Sequence, residues 1–384
     1  MRSRDRAAVN KGFPFWRLLL AVFLSTVILL VALEWSWIDA QARTIVVLSS
    51  VLETPTLTPV VESVTDEPRL EDTSVAGNPA FVLKPRGEGP WPAIFFVNGV
   101  VTEGRELPEV RRLAEGLARA GYLVVVADLP GLRRGEIRPE TVHETLEVAR
   151  AISERPDARG GEVGLVGGST GATLALLAAE KEDLEGRVSV VAGVAPYTDI
   201  KNVIDIATTG HYQRGGKLIP YEADPFLPGV ITQSLVSMLP SSEDRDTLLD
   251  ELEEVDRLQP EFLADLRSMG PEARRVAELL ENEDPRRFDE LYAGLPDGVR
   301  ANLEELSPIA GDELLSVPVE VISGPQDKYF PVSESYAIQR IAPQARVSVT
   351  EALDHVEPTP SFRDLPAFLR VNGFVVRSLR EARR

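Results

Sequence analysis

Two rhythms of apolar and polar positions alternate from about Phe81 onward. Short apolar, largely β-branched runs predict strands at Ala93–Val97, Tyr122–Ala127, Val163–Val166 and Val188–Val194, and again at Val319–Ser323 and Arg346–Glu351. Stretches with apolar residues at helical spacing separate them: Glu109–Ala120 (stopped by Gly121), Thr141–Arg155, Ala172–Lys181, Val332–Ile341 and Leu365–Ala382. Strands that are mostly apolar throughout and alternate with helices indicate a parallel sheet covered on both faces. Between Tyr197 and about Leu306 the strand rhythm disappears. Helices are expected there over Ser241–Val255, Pro260–Met269, Pro271–Glu281 and Arg287–Glu305. The pattern predicts one α/β domain over residues 76–384, interrupted at 198–306 by a helical cap insertion.

A different pattern occupies the N-terminus. Leu18–Leu33 holds no charged residue, and Trp35, Trp37 and Ile38 extend the apolar zone past Glu34. About 20 apolar residues span a bilayer core, with tryptophan favoured at both interfaces. Trp16, Trp35 and Trp37 stand at the two ends of this run. The leader before it carries Arg2, Arg4, Arg6, Lys11 and Arg17 against Asp5 alone, a net of +4. The chain as a whole is at −19, which leaves −23 for the remainder. Residues 1–42 are therefore expected to form a cytoplasmic leader and one transmembrane helix, with the acidic remainder on the other side. Residues 43–75 are expected to be a juxtamembrane connector. The competing expectation is a secreted product cleaved near Ala42, because Ala40-Gln41-Ala42 has a small-x-small pattern.

Composition removes several classes of chemistry. The 384 residues include no cysteine and three histidines, His143, His211 and His355. Disulfides, thiolate nucleophiles and Cys-ligated metal sites are excluded, and a multi-histidine metal centre would need nearly every histidine. The acidic balance argues against nucleic acid as a partner. No metal or organic cofactor is implied.

Gly167-Gly168-Ser169-Thr170-Gly171 fits G-x-S-x-G at a point where a strand turns into a helix. Such a turn lifts a serine hydroxyl clear of the sheet and aims the Thr170 N–H where an oxyanion would form. No phosphate-cradling glycine pattern aligns with this stretch. A serine nucleophile needs a base and an orienting acid. His355 follows the last predicted strand and Asp327 follows the one before it, both at the carboxyl edge that also carries Ser169. Asp199, after the Val188–Val194 strand, is an alternative acid. Each residue also has a plainer role open to it: Ser169 as a turn serine, Asp327 as a helix cap, His355 paired with Asp354. His211, at the start of the insertion, is a candidate for substrate contact.

These segments resemble the α/β-hydrolase superfamily, most of all its dienelactone hydrolase-like and prolyl oligopeptidase-like branches. The resemblance rests on Phe96-Val97-Asn98-Gly99, Asp128-Leu129-Pro130-Gly131, Gly167–Gly171, Ser307-Pro308, the Gly324-Pro325-Gln326-Asp327-Lys328-Tyr329-Phe330-Pro331 loop and His355. It implies Ser169 as nucleophile, Asp327 as acid and His355 as base. The oxyanion hole would be formed by Thr170 and Val100, and Asn98, Gly99 and Gly168 would border the substrate. Two departures matter. Asn98-Gly99 stands where many relatives carry His-Gly, and the absence of cysteine sets the chain apart from dienelactone hydrolases proper. The expected activity is that of a membrane-anchored serine hydrolase acting on a small-molecule or lipid-like ester. A peptidase or amidase of the same fold, or a non-catalytic surface binding protein, is the alternative.

Overall fold

The computed structural model describes residues 34–53, 55–240, 242–253, 260–311, 314–359 and 364–384, together with Leu20 and Phe23. Apart from those two residues, the expected Leu18–Leu33 span lies outside the described residues. Among the described residues no helix is long and apolar enough to cross a membrane.

The chain enters through α1 (Trp35–Leu52) and the short α2 (Thr58–Val64). Arg43–Val75, expected to be a connector, is instead largely folded onto the domain. Ala40, Thr44, Val47 and Leu48 recur at helical spacing and are buried. Glu53 then ends α1 in the left-handed region at φ 44°. β1 (Arg69–Val75) and β2 (Asn78–Lys84) pair through a turn at Ala76-Gly77, both residues at positive φ. β1 is exposed along nearly its whole length, so its polar sequence carries no apolar alternation from which to predict it. A charged edge strand of this kind also resists pairing with other chains.

Four further elements complete the first half of the sheet: β3 (Trp91–Val97), α3 (Pro108–Arg119), β4 (Leu123–Ala127) and α4 (Pro130–Arg133). Then come α5 (Pro139–Ser153), β5 (Ala158–Gly168), α6 (Thr170–Ala179) and β6 (Val188–Val194).

The insertion begins with α7 (Ile200–Thr209) and continues with a hairpin that the apolar pattern did not predict, β7 (His211–Arg214) and β8 (Lys217–Pro220). Its turn, Gly215-Gly216, has positive φ at both residues. The strands are short and polar, which is why a region expected to be helical throughout contains them. Helices α8 (Phe226–Ser237), α9 (Glu243–Glu253), α10 (Pro260–Ser268), α11 (Pro271–Leu280), α12 (Phe288–Ala293) and α13 (Asp297–Glu305) follow. The single helix expected over Arg287–Glu305 is two, parted at Gly294-Leu295-Pro296, where proline stands at the second helix's N-cap.

The sheet closes with β9 (Val319–Ser323), α14 (Val332–Ala337) and β10 (Arg346–Val349). A small hairpin of β11 (Leu353–Asp354) and β12 (Glu357–Pro358) precedes the terminal α15 (Leu365–Glu381).

Among the described residues the main sheet has eight strands, in the order β1-β2-β4-β3-β5-β6-β9-β10. β2 is antiparallel to both of its neighbours and every other pairing is parallel, so β2 alone runs against the rest. β4 and β9 are buried along their whole length, as strands covered on both faces must be. One face packs against α1, α3 and α15, and the Tyr122 hydroxyl donates to the Leu379 carbonyl at 2.7 Å across that interface. The other face packs against α5 and α6 and is continuous with the core of the insertion.

Candidate active site

Ser169 stands between β5 and α6 with φ 55° and ψ −131°, a backbone conformation that costs a side-chain-bearing residue about 1–3 kcal/mol. Close backbone approach makes the flanking glycines necessary. A Cβ on Gly167 would lie 2.5 Å from the Gly171 carbonyl carbon, and one on Gly171 would lie 2.2 Å from the Val97 oxygen. The start of α6 is thus pressed against the loop that leaves β3. In that loop a Cβ on Gly99 would sit 3.3 Å from the Ser169 Cβ and 3.8 Å from its Oγ. Glycine at 99 keeps this space beside the hydroxyl open.

The loop after β9 presents Asp327. Its side chain is fully shielded from solvent, and Oδ2 lies 2.8 Å from His355 Nδ1. Oδ1 accepts from the backbone N–H groups of Tyr329 (2.7 Å) and Phe330 (3.0 Å), which fixes the carboxylate plane. His355 occupies the first turn position of the β11–β12 hairpin at φ 57°, where glycine is usual. Its imidazole lies against the Tyr329 ring, with centroids 4.3 Å apart, and meets the edge of Phe330 at 5.6 Å. With Nδ1 donating to Asp327, Nε2 is left as the acceptor, an assignment made from this hydrogen bond.

The three loops are pressed together. A Cβ on Gly324 would fall 2.4 Å from the Leu353 oxygen, which joins the acid loop to the histidine hairpin. A Cβ on Gly168 would fall 3.2 Å from Val356 Cγ1, which joins that hairpin to the serine turn. Ser169, Asp327 and His355 are therefore brought to one edge of the sheet. Thr170 is buried at the first position of α6, and Val100 is half-buried beyond Gly99. Asn98 is 5% exposed, and neither of its side-chain polar atoms has a hydrogen-bond partner among the described residues, an arrangement that costs about 1–3 kcal/mol per group.

Asp199 and His211 are otherwise engaged. Asp199 caps α7, accepting from the Lys201 N–H at 3.0 Å, so of the two candidate acids only Asp327 holds His355. His211 opens the β7–β8 hairpin and its Nδ1 lies 2.8 Å from the Thr209 carbonyl, a local contact.

The insertion reaches the site through residues for which the sequence carried no signal. Just past β8, the Tyr221 hydroxyl donates to the Asp327 carbonyl and the Asp224 N–H donates to Lys328 O at 2.9 Å. One arm of the cap thus holds the acid loop at two successive residues, Asp327 and Lys328. On the other side of the loop, the Glu334 carboxyl is buried. It accepts from the N–H groups of Thr198 and Asp199, the Thr198 hydroxyl and the Asn202 amide. Burial pushes the Glu334 carboxyl above the ordinary range, and these donors oppose that shift. Such contacts depend on where loops meet in space, and no local motif marks them.

No curated protein matches the chain in sequence. Among solved structures, the dienelactone hydrolase from Anabaena variabilis is similar at 14% identity and a TM-score of 0.44, covering 83% of this chain and 100% of that one. A variant of the rice cell wall degrading esterase LipA from Xanthomonas oryzae shares 16% identity at a TM-score of 0.50, covering 82% and 89%. A puromycin-hydrolyzing peptidase of Mycobacterium tuberculosis shares 17% at 0.44, covering 81% and 37%. At these identities the likeness concerns the fold. The model of the alpha/beta hydrolase family matches residues 94–367. That span runs from within β3 into α15 and takes in the serine turn, the acid loop and the histidine hairpin, and on it the chain belongs to the alpha/beta hydrolase family.

Proposed function

We propose that this protein is a membrane-anchored serine hydrolase that cleaves an ester-type bond by acyl transfer. The observation that carries the reading is the Asp327–His355 hydrogen bond, formed at the sheet edge where Ser169 stands in its strained turn. His355 Nε2 takes the proton from Ser169 Oγ as that oxygen attacks the carbonyl carbon, and later returns it to the leaving group. Asp327 holds the imidazole in the required tautomer and stabilises its protonated form. The Thr170 N–H and the N–H of Val100 receive the oxyanion, with Gly99 leaving room beside the hydroxyl. Water, activated by His355, releases the acyl group. The cap walls the acyl or leaving-group pocket.

The anchor is the Leu18–Ile38 segment, with the leader in the cytoplasm and the hydrolase domain on the other side. One feature of the fold favours a retained segment over cleavage near Ala42. α1 runs unbroken through that point, and cutting there would remove buried Ala40 and the Asp39 carboxylate that pairs with Arg43 and Arg383. The test of the catalytic reading is covalent labelling by a fluorophosphonate probe. The wild-type chain should label at Ser169, and Ser169→Ala should fold normally and remain unlabelled. Labelling retained in that variant, or absent from folded wild-type protein, would overturn the assignment.

A further inference from the structure

α1 runs alongside the strands from the edge where they begin to the edge where they end. Midway along it, Arg43 donates to the Ala120 carbonyl just before β4. Asp39 pairs with Arg383 at 3.4 Å, and Arg159, the second residue of β5, donates to the Arg383 carbonyl at 2.6 Å. At its far end, Leu48 shares an apolar cluster with Ile322, near the end of β9, and with Ala352, three residues before His355. The helix has 18 residues, so its two ends stand about 27 Å apart.

The end that leads toward Leu33 has the character of a bilayer interface. Trp35, Trp37 and Ile38 are 62%, 42% and 44% exposed in the first turn of α1. Arg159, Arg383 and Arg384 gather at the same edge around a cavity of about 210 Å³, beside Glu162, with Arg384 paired to Glu381 at 2.6 Å. Cations suit the level of anionic headgroups. The opposite edge, which holds Ser169 and His355, carries Glu222, Asp224, Asp354 and Glu357 on the segments around the site, with Lys328 paired to Asp354 at 3.5 Å.

We infer that the catalytic mouth faces away from the bilayer, and that the site takes a water-soluble ester rather than a membrane lipid. The inference rests on the anchored-hydrolase reading above. A lipid ester bond lies at the interface beside Trp35. Reaching Ser169 would require lifting the whole lipid out of the bilayer, with its acyl methylenes exposed to water on the way.

The cysteine-free sequence allows one label at a chosen point. The full chain, carrying Ser36→Cys or Glu357→Cys with an environment-sensitive fluorophore, is reconstituted into phosphatidylcholine–phosphatidylglycerol vesicles containing a quencher at the headgroup. The label at position 36 should lose its emission and the label at 357 should keep it. The same vesicles should cleave p-nitrophenyl butyrate as fast as detergent-solubilised protein does, and release no fatty acid from their own phospholipid. Quenching at both positions, or phospholipid cleavage that Ser169→Ala abolishes, overturns the inference while leaving the anchored hydrolase standing. A chain that fails to float with the vesicles overturns the anchor, and the inference with it. A floating chain that leaves the butyrate ester intact overturns the substrate assignment.

Discussion

The serine turn and the arm of the cap serve the same small site by opposite means. Around Ser169 the geometry is set by backbone pressed on backbone: Gly167 against Gly171, Gly171 against Val97, Gly99 against the serine itself. At Tyr221–Asp224 it is set by side chains and amides reaching across from an insertion to the acid loop. Backbone crowding excludes every residue but glycine and so leaves a mark in the sequence. A hydroxyl that meets a carbonyl more than a hundred positions away leaves none. The first kind of device should fail abruptly under substitution, and the second gradually.

The largest effects belong to the scaffold edge. Asp327→Asn would keep the loop contacts but favour the wrong imidazole tautomer, and kcat should fall by about 10⁴ with little change in thermal stability. A fall of tenfold or less would return the role of acid to another group. Next comes Gly171→Ala, whose Cβ would meet the Val97 and Asn98 carbonyl oxygens at 2.2 and 2.3 Å. Overpacking of backbone on backbone should cost about 3 kcal/mol or more in urea unfolding. Gly186→Ala serves as the control, since Gly186 has φ 68° but nothing within 4 Å of the added Cβ. That change should cost about 1 kcal/mol. A loss at Gly171 no larger than that at Gly186 would mean that its neighbours give way and that close approach does not set the glycine requirement there.

The same contrast explains how much was legible in advance. The buried strands, the Gly167–Gly171 turn and the Gly-x-x-Asp loop are dictated by local apolar runs and local crowding, and the structure places them within a few residues of expectation. The principal exception is β5, which begins at Ala158, five residues ahead of the apolar run. His355 was expected in a plain loop and instead sits in a strained hairpin turn, because β11 and β12 are too short to produce a periodic pattern. β1 and the β7–β8 hairpin escaped for a related reason: exposed strands have no need of apolar residues. Residues Arg43–Leu52 were separated from the domain because an apolar stretch beside a membrane-like segment has the same composition as a helix docked on a core. Only its buried face, Thr44, Val47 and Leu48, tells the two apart. Tyr221, Asp224, Tyr329 and Glu334 were invisible because each acts on a partner brought near by the fold alone.

On the cap side, Tyr221→Phe removes the hydroxyl from the Asp327 carbonyl and keeps the edge-to-face contact with Tyr212, 5.9 Å between centroids. A neutral hydrogen bond is worth about 1 kcal/mol, so kcat should fall by about tenfold or less, with KM and stability nearly unchanged. A loss of about 10³ or more would place Tyr221 among the groups that act in the transition state. A change confined to KM would assign it to substrate contact instead of loop positioning.

A pH-dependent effect is expected inside the insertion, where α7 carries Asp205 at 1% exposure with the Thr209 hydroxyl as its one direct side-chain partner among the described residues, at 2.9 Å. Burial pushes this carboxyl up to about 6 from an ordinary 3.8, with nearby Asp289 adding to the shift and the Thr209 bond opposing it. Between those two values the folded chain keeps a proton that the unfolded chain has released. Unfolding therefore sheds a proton in that window, and rising pH favours the unfolded state. The wild-type protein should lose stability from about pH 4 to pH 6 on this account and regain none of it above. Asp205→Asn retains an acceptor for Thr209 and has no charge to bury. Its advantage should be slight at about pH 4, grow through the window, and level out at up to about 3 kcal/mol above pH 7. Urea midpoints for the two proteins across that range provide the measurement. A difference that does not change with pH would show that Asp205 is already ionised throughout. The first helix of the cap would then tolerate a buried charge, against the expectation that its core, like that of the sheet, excludes one.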